Sequence, residues 1–235
     1  MYNATYAPLT AGSITLADGS SGTFTQGTLS GGSAADFSAT SGITTFSSTT
    51  AANKNVVSTT AGVPSAYPRT YTLLAYVKVN DATNRGIELD MNTGAERVKA
   101  VIYANGNGFG IEKTADGAAT IKDSASYSGS YHLFQVSANI TAACTGTVTL
   151  WVDGSPVTLA SSTALTAGSI SANVVTLGST CLTSTSSGLY IGDGGSSGYN
   201  ADIDWIVWSN TGAYTPTEVK GTLPASMGTI PAAYQ

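Results

Sequence analysis

From Tyr71 to Trp208, apolar residues recur at every second position in run after run. In TYTLLAYVKVN, residues Tyr71, Leu73, Ala75, Val77 and Val79 share one parity, and Leu74, Tyr76 and Lys78 share the other. Successive side chains of a strand point to opposite faces, so this spacing predicts a strand with one apolar face. GIELDMN groups Ile87, Leu89 and Met91 against Glu88 and Asp90. ERVKAVIYANG groups Val98, Ala100 and Ile102, and YHLFQVSANI groups Phe134, Val136, Ala138 and Ile140. TVTLWVDG groups Val148, Leu150 and Val152 and turns Trp151 to the opposite face. Asp153-Gly154 then predicts a tight hairpin turn. NVVTLG, GLYIG and ADIDWIVWS follow. Between about residues 12 and 60 the runs are thinner: SITLAD, GTFTQG, DFSATS, ITTFSS and NVVSTT. There Thr and Ser supply β-branching or small polar faces, which predicts strands with a narrow apolar stripe. Helix is predicted only as a short turn over Thr217–Lys220, after Pro216. Many short alternating strands between turn residues predict an all-β, antiparallel two-sheet β-sandwich. No internal repeat and no Pro-rich or charged linker divides the chain. The expectation is one domain over 1–235, with 1–60 a weakly patterned N-terminal strand segment and 215–235 a C-terminal tail. A separate unit over 1–60 is the alternative.

The order of these runs from about Tyr71 to Pro216 resembles the concanavalin A-like (laminin G-like) jelly roll. YTLLAYVKV stands where that pattern has a strand ending in Trp-Val-Lys, with Tyr76 in the tryptophan position. YHLFQVSA matches a middle strand that opens on Trp-His, here Tyr131-His132. VTLWVDG and LYIGDGGSSGYNADIDWIVWSNTGAYTPTEV match the last two elements in order and spacing. The resemblance implies a jelly-roll fold and leaves the role open, because the family includes lectins, glycosidases, adhesins and structural modules.

Composition narrows the role. Charged residues make up only 10% of the chain and the net charge is −5, against a usual charged share near ~25%. No basic cluster exists beyond Arg97-Val98-Lys99, so no nucleic-acid partner is expected. No stretch approaches the roughly 18 apolar residues of a membrane helix, so no membrane insertion is expected. Met1–Tyr6 has neither a basic n-region nor an apolar h-region. The expectation is a removed leader, or a protein that bypasses the Sec route, such as a phage structural protein. A hydroxyl-rich surface with few charges suits an extracellular or virion-surface location.

The candidate chemistry is sparse. Glycosidases of the resembling family carry three acids at alternate positions of one strand, where a retaining pair needs carboxylates roughly 5–5.5 Å apart. Here Glu88-x-Asp90 and Asp202-x-Asp204 alternate, but Asn92 and Ile206 occupy the next positions. A lyase needs a Tyr/His base with an Arg or Asn, and His132 is the only histidine. It reads better as a hydrogen-bonded structural residue. No catalytic residue and no enzymatic activity are expected. No cofactor is required, although calcium is possible at rim-loop carboxylates, with Asp193 and Asp202 as candidate ligands and Asp18 a further one. Glycan or partner contact is expected at Trp151, Tyr190, Tyr199, Asn200 and Asp202. Cys144 and Cys181 are a candidate disulfide pair, with two unpaired half-buried thiols as the alternative.

Trp205 and Trp208 have opposite parity, so one must leave the inter-sheet core. Its face would be either a glycan groove or an oligomer interface, where such rings are enriched. The first functional expectation is therefore a non-enzymatic structural or decoration protein on a virion or extracellular assembly, partnered by its own copies or a larger particle. The alternative is a carbohydrate-binding, lectin-like module for surface glycans.

Overall fold

The computed structural model describes residues 12–15, 21–26, 37–40, 43–47, 54–59, 66–80, 88–93, 97–102, 108–112, 120–143, 145–161, 168–178, 187–193, 200–209, 211–223 and 229–235. Their strands are β1 (Gly12–Thr15), β2 (Ser21–Gln26), β3 (Phe37–Thr40), β4 (Ile43–Ser47), β5 (Lys54–Thr59), β6 (Arg69–Val79), β7 (Glu88–Thr93), β8 (Arg97–Ile102) and β9 (Phe109–Glu112). There follow β10 (Thr120–Lys122), β11 (Tyr131–Ala142), β12 (Thr145–Val152), β13 (Ser155–Pro156), β14 (Ala160–Ser161), β15 (Gly168–Ser171), β16 (Val174–Leu177), β17 (Ser187–Asp193) and β18 (Asn200–Ser209).

The strands form two open sheets, an all-β antiparallel sandwich. The larger runs β1-β2-β18-β6-β11-β12-β16-β15, with β4 beside β18, β3 beside β4, and β13 beside β12. The smaller runs β14-β10-β9-β8-β7-β17-β5. The thinly patterned residues before 60 thus give four strands to the larger sheet and one edge strand to the smaller.

The alternation seen in the sequence sets which faces meet. Tyr71, Leu73, Ala75, Val77 and Val79 of β6 bury with Phe134, Val136, Ala138 and Ile140 of β11 and Val148, Leu150 and Val152 of β12. Leu89, Ala100, Ile102, Phe109, Ile111 and Ile121 oppose them from the smaller sheet. Phe134 pairs with Ala75 on one side and Val152 on the other, so the inward residues lie in rows across the sheet.

The larger sheet is apolar on its outer face as well. Leu74, Leu133, Trp205 and Val207 bury there under Tyr214, Val219, Leu223 and Tyr234. The C-terminal residues therefore make a third layer. It contains α1 (Pro216–Val219), which starts one residue before the predicted turn, and a 3-10 turn at Ala232–Tyr234. The Thr215 hydroxyl accepts from Glu218 N–H, and the Glu218 carboxylate accepts from Thr215 N–H, a reciprocal cap that fixes the start of α1. Parity is obeyed: Trp208 faces the inter-sheet core and Trp205 the outer face. Trp205 is nevertheless buried, and its indole N–H donates to Thr229 O at 3.0 Å. The face expected for a glycan or an oligomer partner is, at this ring, covered by the chain itself.

The predicted hairpin turn joins β12 to β13. Asp153 has φ +50° and Gly154 φ +80°, the left-handed pair that a two-residue turn requires. Gly154 is also a contact point. A Cβ there would lie 2.6 Å from Cβ of Ala233 in the C-terminal layer.

Candidate functional site

At one end of the sandwich the chain crosses between the sheets twice. Residues 123–130 pass from β10 in the smaller sheet to β11 in the larger. Residues 157–159 pass from β13 in the larger sheet back to β14 in the smaller. Two crossings side by side leave an open groove of about 790 Å³, whose lining includes Asp123, Tyr127, His132, Asp153, Pro156 and Thr158. Val157 and Leu159 plug the core beneath it.

Asp123, Tyr127, His132 and Asp153 are each held in place by hydrogen bonds. The buried Asp123 accepts from Phe109 N–H at 2.9 Å through Oδ1 and from the Tyr127 hydroxyl through Oδ2. The carboxylate thereby ties the crossing loop to the start of β9. Gly108 makes room for it: with φ +111°, a Cβ there would lie 2.3 Å from Asp123 O. Gly129 N–H donates to Val79 O at 3.0 Å and anchors the far end of the loop on β6. The Tyr127 ring meets His132 edge-on at 5.3 Å and Phe134 at 5.5 Å. Burial first, then the Asp123 hydrogen bond and the charges of Asp123 and Asp153, push the Tyr127 phenol far above its ordinary range. Tyr127 stays a neutral donor.

Asp153 joins the turn to β11. Its Oδ1 accepts from Leu133 N–H at 2.8 Å, and its own N–H donates to Leu133 O at 2.9 Å. Its Oδ2 lies 2.7 Å from His132 Nδ1. A carboxylate only accepts, so the shared proton belongs to Nδ1; when the ring is neutral, Nε2 is its acceptor nitrogen. His132 is thus hydrogen-bonded, as its position in the sequence suggested, yet 23% of its side chain and 43% of that of Asp153 stay exposed. The groove offers oriented acceptors, an aromatic edge and hydroxyls from Ser124, Ser155 and Thr158 over an apolar floor of Val152, Pro156 and Val157.

Among the described residues, none of the sites read from the sequence lines this groove. Trp151 was expected as a contact platform but is only 8% exposed. It faces away from the core residues Leu150 and Val152 and is paired with Pro156 and Gln135. Asp202 forms an ion pair with Lys78 at 3.4 Å on the outer side of the larger sheet. Tyr190 and Asp193 lie on β17 and Asn200 opens β18, with only their backbones described. Tyr199, Cys144 and Cys181 lie outside the described residues, as does Asp18. Asp193 belongs to the smaller sheet and Asp202 to the larger, and Lys78 already neutralises the Asp202 carboxylate. Among the described residues no three acidic, His or Cys side chains gather to hold a metal ion; the side chain of Asp193 lies outside those residues. The pairing of β18 with β6 shifts between Ile203 and Trp205, which leaves Asp204 without a partner in the ladder, and Asp202 and Asp204 both lie near Tyr131. Asp204 lies near Tyr76 and Tyr131, and burial holds its carboxyl above the ordinary range.

Sequence reasoning missed Asp123 and Tyr127 and assigned Asp153 to turn chemistry alone. Asp123 and Tyr127 lie in a loop with no periodicity. The one available signal was Asp-Gly placed after a strand that pairs with the histidine-bearing strand.

No family model matches the chain, and no curated protein matches it. Solved structures do align with it. The alginate lyase Aly36B aligns at 9% identity and a TM-score of 0.44, over 90% of this chain and 97% of the lyase. A sialidase of Trypanosoma rangeli aligns at 16% identity and a TM-score of 0.42, over 83% of this chain. A bifunctional GH43-CE protein of Bacteroides eggerthii aligns at 10% identity and a TM-score of 0.43, over 76% of this chain. This chain spans 31% of the sialidase and 23% of the GH43-CE protein. These neighbours correct the leading functional expectation. They are a lyase, a sialidase and a bifunctional GH43-CE protein, against the expectations of a non-enzymatic virion or decoration protein and of no enzymatic activity, which are not carried further. The likeness is one of β-sandwich architecture, and residue roles rest on this chain's own geometry.

Proposed function

We propose that the chain is a carbohydrate-handling domain that receives a saccharide in the groove between residues 123–130 and the β12–β13 hairpin. The observation that carries the reading is the exposed Asp153 carboxylate, held rigid by Leu133 N–H and His132 at the mouth of a groove of about 790 Å³. Binding sites combine an apolar lining with a few fixed polar groups, in volumes of roughly 300–1,000 Å³. A sugar ring matches that lining, with hydroxyls for Asp123, Asp153, Ser124 and Ser155 and C–H faces for Tyr127, Val152 and Pro156. The strand order supports a concanavalin A-like jelly roll folded as a single domain, and the low charge supports an extracellular setting.

Titration of a broad oligosaccharide panel against the native protein and Thr158→Trp tests the reading. Thr158 is exposed, so the indole fills the groove without disturbing the core. Binding by the native chain, weakened at least about tenfold in Thr158→Trp with an unchanged Tm, is the expected result. A folded native protein that binds no saccharide refutes it.

One observation favours chemistry as well as binding. The His132–Asp153 pair fixes the imidazole tautomer, which suits a proton acceptor or donor. The same panel, read for new reducing ends and unsaturated products, gives turnover that His132→Asn abolishes under this second reading.

A further inference from the structure

We infer that the groove selects saccharides lacking an acid group, neutral sugars or amino sugars, over uronates and sialates. The inference rests on the groove being the binding site proposed above.

Two carboxylates face this space, Asp123 and Asp153, and no Lys or Arg is among its described lining residues. Sites that recognise a carboxylate or phosphate rely on cationic donors, above all the planar fork of Arg. The Lys and Arg side chains that are described, Arg69, Lys78 and Lys220, are not among that lining. Lys78 is paired with Asp202 on the outer side of the larger sheet. Arg69 begins β6 and stacks on Tyr67 at 4.1 Å. The groove lies toward the other end of β6, where Gly129 is bonded to Val79. Ten residue-to-residue steps separate the two ends of this 11-residue strand, on the order of 33 Å.

Neither carboxylate can swing away from an incoming anion. Asp123 is clamped by Phe109 N–H and the Tyr127 hydroxyl, and Asp153 by Leu133 N–H and His132. Their remaining lone pairs suit donors, which are sugar hydroxyls or the ammonium of an amino sugar. A second carboxylate brought against them would meet like charge, whose juxtaposition disfavours wrong partners strongly. The hydroxyls of Ser124, Ser155 and Thr158 are weak compensation, because none carries charge.

Calorimetric titration of the native protein tests the selection. The probes are a neutral β-glucan oligosaccharide, a xylo-oligosaccharide, a chitosan oligomer, an alginate oligomer, a galacturonate oligomer and a sialyl-oligosaccharide. At low ionic strength, at least one neutral or amino sugar is expected to bind at least about tenfold tighter than every acid sugar. Asp153→Asn is the diagnostic variant. Asn tolerates the left-handed conformation of the turn, and Asn-Gly is a favoured pair for it, so the hairpin survives. In that variant the ratio of acid-sugar to neutral-sugar affinity is expected to rise about tenfold. Suppose instead that an alginate, galacturonate or sialyl probe binds at least as tightly as the neutral probes, and Thr158→Trp removes that binding. The selection is then overturned while the carbohydrate reading stands. If no probe of any class binds the folded protein, the carbohydrate reading fails and the inference falls with it.

Discussion

The outer layer depends on a buried polar knot, and Tyr234→Phe is the perturbation that tests it. Tyr234 is 1% exposed and Gln135, beneath it on β11, is fully buried. The Tyr234 hydroxyl donates to Gln135 Oε1 at 2.6 Å, and its oxygen accepts from the Gly154 backbone. Gln135 Nε2 donates to Tyr214 O at 2.7 Å, and Ser137 Oγ donates to the same carbonyl at 2.6 Å. Thr72 closes the knot, donating to Gly212 O at 2.9 Å and accepting from Tyr214 N–H at 2.7 Å. Phenylalanine keeps the ring packing and removes only the hydroxyl. Gln135 Oε1 is then buried without a donor, at a cost of about 1–3 kcal/mol. For a chain of this size each kcal/mol lowers Tm by about 2–4 °C. Urea denaturation of the native chain and the variant reads the cost directly. A double-mutant cycle with Gln135→Leu assigns it. Leucine removes the orphaned acceptor, so the penalty of Tyr234→Phe is expected to fall by at least about 0.5 kcal/mol in that background. A penalty below about 0.5 kcal/mol in the native background, or one equal in both backgrounds, would refute the knot.

Three further predictions concern the core and the titrating groups. Leu150→Ala leaves a cavity where Leu150 packs between the sheets, and a loss of about 2–5 kcal/mol in a denaturation midpoint analysis is expected. Asp204 holds its proton more tightly folded than unfolded, because burial raises its pKa. Its contribution is therefore present below the ordinary carboxyl range and lost as pH rises through the folded value. Asp204→Asn should raise Tm at neutral pH, and the gain should vanish in acid; a lower Tm at neutral pH would show that the charge is compensated. Burial, then the charges of Asp202 and Asp204 and the Tyr76 phenol, push Tyr131 up to about 12. The unfolded phenol ionises near ~10, so stability is expected to fall as pH rises from about 10 toward 12. Tyr131→Phe should flatten that fall in a Tm-against-pH series, and an unchanged slope would count against the shift.

What the sequence could and could not disclose follows from the range of the forces involved. Alternation is local, and it assigned the inward rows of β6, β11 and β12 residue by residue. It also contained the outer layer in outline. Leu73-Leu74-Ala75 and Trp205-Ile206-Val207-Trp208 are apolar on both parities, and all seven residues are buried. A strand apolar on both faces needs a cover on each. Parity alone cannot say whether a glycan, another copy or the chain's own end provides that cover. Here residues 211–223 and 229–235 provide it, through side chains such as Tyr214, Val219 and Tyr234 that come from segments with little strand pattern. The groove was harder still, because two crossings far apart in sequence form it. Asp123 and Asp153 are 30 residues apart, and each reads locally as loop or turn chemistry. Their convergence depends on β10 and β12 belonging to different sheets. That makes the groove a product of topology: a shift in β12 register that turned Val152 outward would remove it.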